Sequence, residues 1–351
     1  MSAETDYLEL VQHSAGYEGW ADDMNANLEK IDIGFNQIIH SSNPLINGDM
    51  SVWQRGTHIS TSGFVADRWY LGNAWTAIMS RQEFIPGQTD VPGEPKYYLN
   101  TNIVTAGDYC YFQPIEDVRS YSGEIISFDF WTYVNSPTTL EFVLFSQNFG
   151  SGGSDLVHTL ASLDNSTLSA GWNNVLGYVT IPSVAGKTIG DGSYLSFRID
   201  INPSYTGNWG LSQVSINRGS TSYPFKSRSP ALEEMLCQRY YCKSYEMGVN
   251  PGTVTEINAE GNLWSTGADV TGYLSASFRY PVPMRVTPTL TIYDMAGSVG
   301  YLSGHNQSGS PINGIWLMGI GYSGTKGAKV YSYIPGVSGL ECHYTANAEL
   351  I

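Results

Sequence analysis

The stretch YLSFRIDIN at residues 194–202 alternates without a break. Leu195, Phe197, Ile199 and Ile201 take one set of positions; Tyr194, Ser196, Arg198 and Asp200 take the other. Successive side chains of a strand point to opposite faces, so this spacing predicts a strand with one face in a core. TLEFVLFSQN (139–148) and EIISFDFWTYV (124–134) carry apolar residues on both faces, as strands covered on both sides do. The turn clusters NFGSGGSD, SLDNSTLSAG and AGKTIGDGS divide these runs at the spacing of a sandwich. Residues 43–229 are therefore expected to form a two-sheet antiparallel jelly roll.

Helical signals flank that region. In SRSPALEEMLCQRYYCKSYEMG (227–248), Ser229 can cap, Pro230 suits the first helical position, and Glu233 and Glu234 lie near the positive end of the dipole. Leu232, Met235, Leu236 and Tyr240 would form the apolar stripe, and Gly248 a stop. A short linking helix is thus predicted within 230–248. Near residues 19–40, Met24, Leu28, Ile31, Phe35 and Ile38 step by 4, 3, 4 and 3. That spacing fits a coiled-coil seam, and equally an amphipathic helix lying on its own domain. Past residue 249 the pattern is β again, with strands expected in TGYLSASFRY, TPTLTIYDM, GIWLMGIGY, AKVYSYIP and LECHYTANAEL. SGHNQSGSPINGI is expected to be an exposed loop. The predicted class is mainly β, divided as 1–42, 43–229, 230–248 and 249–351.

Charge narrows the choice of partner. Only 14% of the 351 residues are charged and the formal net charge is −15. Such a field repels phosphate backbones and anionic lipid, so neither nucleic acid nor a membrane surface is expected as a partner. The acidic start MSAETDYLELVQ has no basic region or apolar core, so no secretory signal is expected there. The absence of an apolar run near ~18 residues predicts no membrane insertion. Four cysteines do not make a disulfide framework; Cys110 reads as a small buried hydrophobe, and Cys237 and Cys242 suit no metal knuckle. Synthesis in a reducing cytosol is the expectation.

The sequence carries none of the motif-borne chemistries: no GxSxG, P-loop or HExxH, and no GxGxxG between strand and helix. The six histidines show no metal-ligand spacing, and no cofactor is expected. Asp129, Glu141, Asp200, Glu246 and Asp294 could supply a glycosidase pair, but each sits in an ordinary strand context. Asp155, Asp164 and Asp191 could hold a calcium ion, although Asx turns explain them as well. Aromatics reach 13%. Trp131 and Phe142 read as sandwich core. Trp209, Trp264 and Trp316 sit beside Gly and polar residues, where a ring can lie in a core or face a ligand.

NPLINGDMSVWQRG (43–56) followed by FVADRWY resembles the opening of a β-sandwich found in tail-fibre and receptor-binding proteins of tailed phages and prophages. The resemblance continues through QNFGSGGSD, GWNNVLGYVTIPSVAGKTIG and EEMLCQRYY, over roughly residues 43–245. GWADDMNANLEKID is similar to the helical attachment segment of virion appendages. The resemblance implies a framework role for Asn47, Gly48, Asp49, Trp53, Arg55, Asp67, Arg68 and Trp69: Trp rings in the core, Asp–Arg pairs at its edge. It further implies a non-enzymatic virion protein, made in the host cytoplasm, that attaches to other virion proteins through its N-terminus. A homotrimer held through Met24, Leu28, Ile31, Phe35 and Ile38 would present a receptor site for a bacterial surface glycan. A head or neck fibre carrying another adhesin, or a glycan depolymerase, are the alternatives. Trp264, Trp316, Tyr273 and Tyr322 in the C-terminal region are the expected glycan contacts, with Tyr205 and Trp209 next.

Overall fold

The computed structural model describes residues 3–4, 11–12, 22–28, 30–31, 43–72, 76–164, 166–256, 263–266, 273–306 and 308–350. Two seven-stranded antiparallel sheets face each other between residues 58 and 218. One runs in the order Val157–Leu160, Thr138–Asn148, Tyr194–Ile201, Cys110–Glu116, Tyr70–Gly72, Gly63–Phe64, with Thr167–Leu168 paired to the end of Thr138–Asn148. The other runs Ser162–Leu163, Gly171–Thr180, Ile125–Val134, Gly207–Arg218, Tyr97–Ile103, Ala77–Glu83, His58–Ile59. From Cys110 to Arg218 the long strands alternate between the two sheets, as a jelly roll requires.

The core follows the alternation. Leu195, Phe197, Ile199 and Ile201 are all fully buried, and Phe197 packs against Phe128, Phe130, Phe145 and Trp69. Trp131 and Phe142 are not part of it. Both are only half-buried, because Phe128 and Phe130 occupy the inward positions of their strand and Trp131, one residue on, points outward. All four cysteines are buried free thiols.

The linking helix is shorter than expected, Pro230–Gln238, and the chain turns at once into the strand Tyr241–Lys243. Its buried side is also different. Leu232 and Met235 are exposed, whereas Glu233 and Cys237 are buried. The reason lies outside the helix: Arg228 reaches both Glu233 carboxylate oxygens at 3.1 Å, and the Asn47 backbone N–H donates to the same group. A charge satisfied in this way can be buried where an exposed Leu loses little.

Beyond the helix a six-stranded sheet centres on Val337–Asn347, and a three-stranded sheet runs Tyr273–Arg279, Gly327–Tyr333, Gly319–Gly324. They enclose a second core that includes Leu274, Phe278, Leu302, Val330 and Leu340. SGHNQSGSPINGI is not a loop: Tyr301–Asn306 and Pro311–Trp316 pair as a hairpin through it. GIWLMGIGY is two strands rather than one. It breaks at Leu317 and Met318, where the chain passes from the six-stranded to the three-stranded sheet. A small cluster of Ile46, Val52, Cys237, Tyr240 and Leu350 joins the sandwich to this region.

At the N-terminal end, residues 22–28, 30 and 31 are helical and Met24, Leu28 and Ile31 are exposed. Phe35 and Ile38 lie outside the described residues. The coiled-coil bundle expected there therefore has no support in the fold.

Candidate functional site

The opening stretch forms a hydrogen-bonded frame. Asn47 is fully buried; its side-chain amide donates to the carbonyls of Val52 (2.9 Å) and Asp67 (3.0 Å), and its Oδ1 accepts the Val52 N–H (2.9 Å). Trp69 Nε1 donates to the Asn47 carbonyl and Trp53 Nε1 to that of Met50. Both rings are core. Arg55 pairs with Asp67 at 3.3 Å and with Glu349 at 3.2 Å, while Arg68 pairs with Glu349 and lies over the Tyr240 ring. Burial pushes the Asp67 carboxyl up to about 6 against the pull of Arg55. These side chains are consumed by one another and present nothing to a ligand.

The expected aromatic contacts divide. Trp209 is 0% and Tyr205 5% exposed, and their rings meet edge to face at 5.4 Å inside the sandwich. Tyr205 donates to the Asn208 carbonyl at 2.7 Å and accepts the Asn135 N–H at 3.1 Å. Both are core residues, and the expectation that they face a ligand is corrected. Trp316 and Tyr322, at 65% and 91% exposure, are open to solvent, on the six-stranded and three-stranded sheets respectively. Trp264 and Tyr273 lie in strands, but their side chains fall outside the described residues.

A different set of rings converges on the outer face of the sheet that holds Ile125–Val134. Register places Trp172 opposite Tyr133 and Asn174 opposite Trp131. On the other side, Gly210 lies opposite Tyr133 and also opposite Asn100 of the next strand. Residues directly opposite in an antiparallel pair share a face. Gly210 has no side chain, and the Tyr133, Trp172 and Tyr98 side chains close over it; a Cβ there would stand 2.7 Å from that of Tyr133. Trp172 meets Phe84 at 5.0 Å, Tyr98 at 5.2 Å and Tyr133 at 5.6 Å between ring centroids. All four rings are half-buried, held by one another yet open to solvent on one side.

Amides border the rings. Asn100 and Asn208 meet at 3.3 Å, and Asn102, Asn208 and Gln82 are exposed on the same face. Each amide offers two donors and an acceptor to hydroxyl groups, while the rings offer flat apolar surface. Asp129, beside Leu176 and Ser215, accepts a 2.7 Å bond from Asn174 Nδ2. Burial pushes its carboxyl up to about 6, partly offset by that bond. Asp129 apart, no sequence motif singles out a side chain of this face as a ligand contact. The signal was the alternation in GWNNVLGYVT and YYLNTNI, which sends Trp172 with Asn174, and Tyr98 with Asn100 and Asn102, to one side.

The other acids considered for catalysis are engaged or exposed. Asp200 is held by Arg198, whose Nε reaches it at 2.7 Å; Asp294 accepts the N–H groups of Ser298 and Gly314; Glu141 and Glu246 are exposed. Among the described residues no three His, Cys, Asp or Glu side chains are grouped to hold a metal ion. His343, which follows Cys342, contacts Ser244 and Thr255 and stacks on Tyr245 at 3.8 Å, and burial lowers its pKa to about 4.

No protein-family model and no curated protein matches the sequence. Among solved structures, 43% of the chain is similar to 92% of the CBM22-2 xylan-binding domain of Paenibacillus barcinonensis Xyn10C, at 14% identity and a TM-score of 0.31. A putative sugar binding protein from Bacteroides thetaiotaomicron is covered in full by 51% of the chain, at 12% identity and a TM-score of 0.35. Half of the chain is also similar to 21% of the enzymatically active domain of tailspike protein 4 from bacteriophage CBA120, at 15% identity and a TM-score of 0.27. TM-scores of this size assign the chain to no family.

Proposed function

We propose that the protein binds glycan without catalysis, as the receptor-binding part of a phage virion appendage. The observation that carries this reading is the outer sheet face where Phe84, Tyr98, Tyr133 and Trp172 cluster beside Asn100, Asn102, Asn208 and Gln82. Flat apolar surface bordered by amides matches the two kinds of surface a pyranose presents, its C–H face and its hydroxyls. The motif resemblance of residues 43–245 supports the place on a phage particle. The homotrimer is proposed from the sequence, on the 4, 3, 4, 3 stepping of Met24, Leu28, Ile31, Phe35 and Ile38. A single open face of this kind binds in the millimolar to micromolar range, about −4 to −8 kcal/mol, and three per trimer would multiply it.

The test is titration of purified bacterial surface polysaccharides by calorimetry, against the chain and its Trp172→Ala and Tyr98→Ala variants. Each variant is expected to weaken binding about tenfold, with far-ultraviolet circular dichroism unchanged, while Trp316→Ala leaves it intact. Full-strength binding by both sandwich variants would refute the assignment of this face. Light scattering checks the trimer; a monomer at micromolar concentration would refute it.

A further inference from the structure

A chain with 17 Lys and Arg against 32 Asp and Glu has few cations to spare. Three of them nevertheless line one open cleft of about 540 Å³ on the three-stranded sheet. Ser277 lies opposite Lys329 in the strand register and Arg279 lies opposite Gly327, so Ser277, Arg279 and Lys329 share the face turned away from the core. Their neighbours Phe278, Ala328 and Val330 point inward and are buried. Lys326, in the turn before Gly327, and Tyr322 complete the wall.

Two features make this a shaped cleft rather than a solvated strand face. Gly327 leaves the floor open beside Arg279, and a Cβ there would collide with the Phe278 carbonyl. Tyr322 holds φ at +49°, a region that non-glycine residues occupy at a cost, and its ring is 91% exposed. Among the described residues Arg279, Lys326 and Lys329 enter no ion pair, although acids outnumber bases nearly twofold in the chain. Unpaired cations converging on a cleft beside an exposed ring suit a ligand that brings its own negative charge.

We infer that this cleft is a second binding site, for an acidic saccharide whose carboxylate meets Arg279, Lys326 and Lys329 while Tyr322 covers a sugar ring. A volume of several hundred Å³ accommodates one or two sugar residues. The anionic preference follows from the cleft alone, whereas the saccharide part rests on the glycan-binding reading above. Both Arg279 and Lys326 are exposed, so replacing them leaves the second core untouched.

The experiment uses the full chain and three probes: a galacturonic acid tetrasaccharide, its neutral methyl ester, and inorganic phosphate. Calorimetry at low salt is expected to show binding of the acid, a loss of about tenfold or more with the ester, and little response to phosphate. Arg279→Gln and Lys326→Gln should each weaken the acid about three- to fivefold, the scale of one exposed charge pair. Added salt should weaken it further. Trp172→Ala should leave this binding unchanged, which separates the cleft from the sandwich face. Equal affinity for acid and ester would overturn the charge assignment. Binding of phosphate but not of the uronate would overturn the saccharide assignment, and no binding of any probe would overturn the site.

Discussion

Replacing Glu233 by Ala removes the acceptor that ties Arg228, just before the linking helix, to Asn47 at the opening of the sandwich. The carboxylate is 3% exposed, takes both 3.1 Å bonds from Arg228, and accepts the N–H of fully buried Asn47. Breaking one partner of a buried pair costs about 3–5 kcal/mol. Leaving the Asn47 N–H unsatisfied contributes about 1–3 kcal/mol of that. Arg228 keeps partial satisfaction through the Leu45 carbonyl at 3.1 Å and that of Asn43, which places the total near the lower end, about 3 kcal/mol. Glu233→Gln retains an oxygen for Asn47 and should cost less, about 1–2 kcal/mol. The double variant Glu233→Ala/Arg228→Met should be less destabilised than the sum of its parts, by about 1–3 kcal/mol. Urea unfolding followed by tryptophan fluorescence reads all five proteins, the wild type and the Arg228→Met single variant included, because Trp53 and Trp69 are buried beside the frame. A Glu233→Ala midpoint within error of the wild type, or strict additivity in the cycle, would refute the reasoning.

Gly210→Ala should force Tyr133, Trp172 and Tyr98 apart, costing about 1–3 kcal/mol and altering the near-ultraviolet circular dichroism; an unchanged spectrum would show that the rings do not depend on that gap. Asp129, raised from 3.8 to about 6, contributes stability that is present below about pH 4 and lost as pH rises through about 6. Relative to Asp129→Asn, the wild type should lose up to about 3 kcal/mol between about pH 4 and 7, and parallel stability curves would exclude the linkage. Trp209→Ala should destabilise by about 3–5 kcal/mol, whereas Trp316→Ala should stay within about 0.5 kcal/mol. Comparable melting shifts for the two would contradict the burial assigned to them.

Strand faces could be read where alternation was clean. Leu195, Phe197, Ile199 and Ile201 needed only the period of two to be placed in the core. The reading failed where size was weighed above period, as with Trp131, a large ring whose odd position sends it outward. It failed again at Leu232 and Glu233, because a helical wheel contains no Arg228 and no Asn47 to make a carboxylate cheap to bury. The outer aromatic face was hidden for another reason. Residues 84, 98, 133 and 172 come from separate strands, and only pairing register and the gap at Gly210 bring them together. For Tyr205 and Trp209 the sequence leaves core and ligand contact open, and the structure decides for the core: Asn135 bonds the Tyr205 hydroxyl and closes that corner.

The pairing of Arg68 with Glu349 spans 281 residues of chain. At the usual pace of synthesis, about 5–20 residues per second, Arg68 leaves the ribosome some 15–55 seconds before its carboxylate exists. For that interval a guanidinium destined to be 1% exposed has the Pro114 carbonyl but lacks its counter-charge, which penalises closing the first strands of the sandwich over it. A contact made by Glu349 thus completes an element that lies 281 residues before it. Nascent chains should therefore stay more protease-sensitive around residues 55–70 until Glu349 has emerged, however early the rest of the jelly roll condenses.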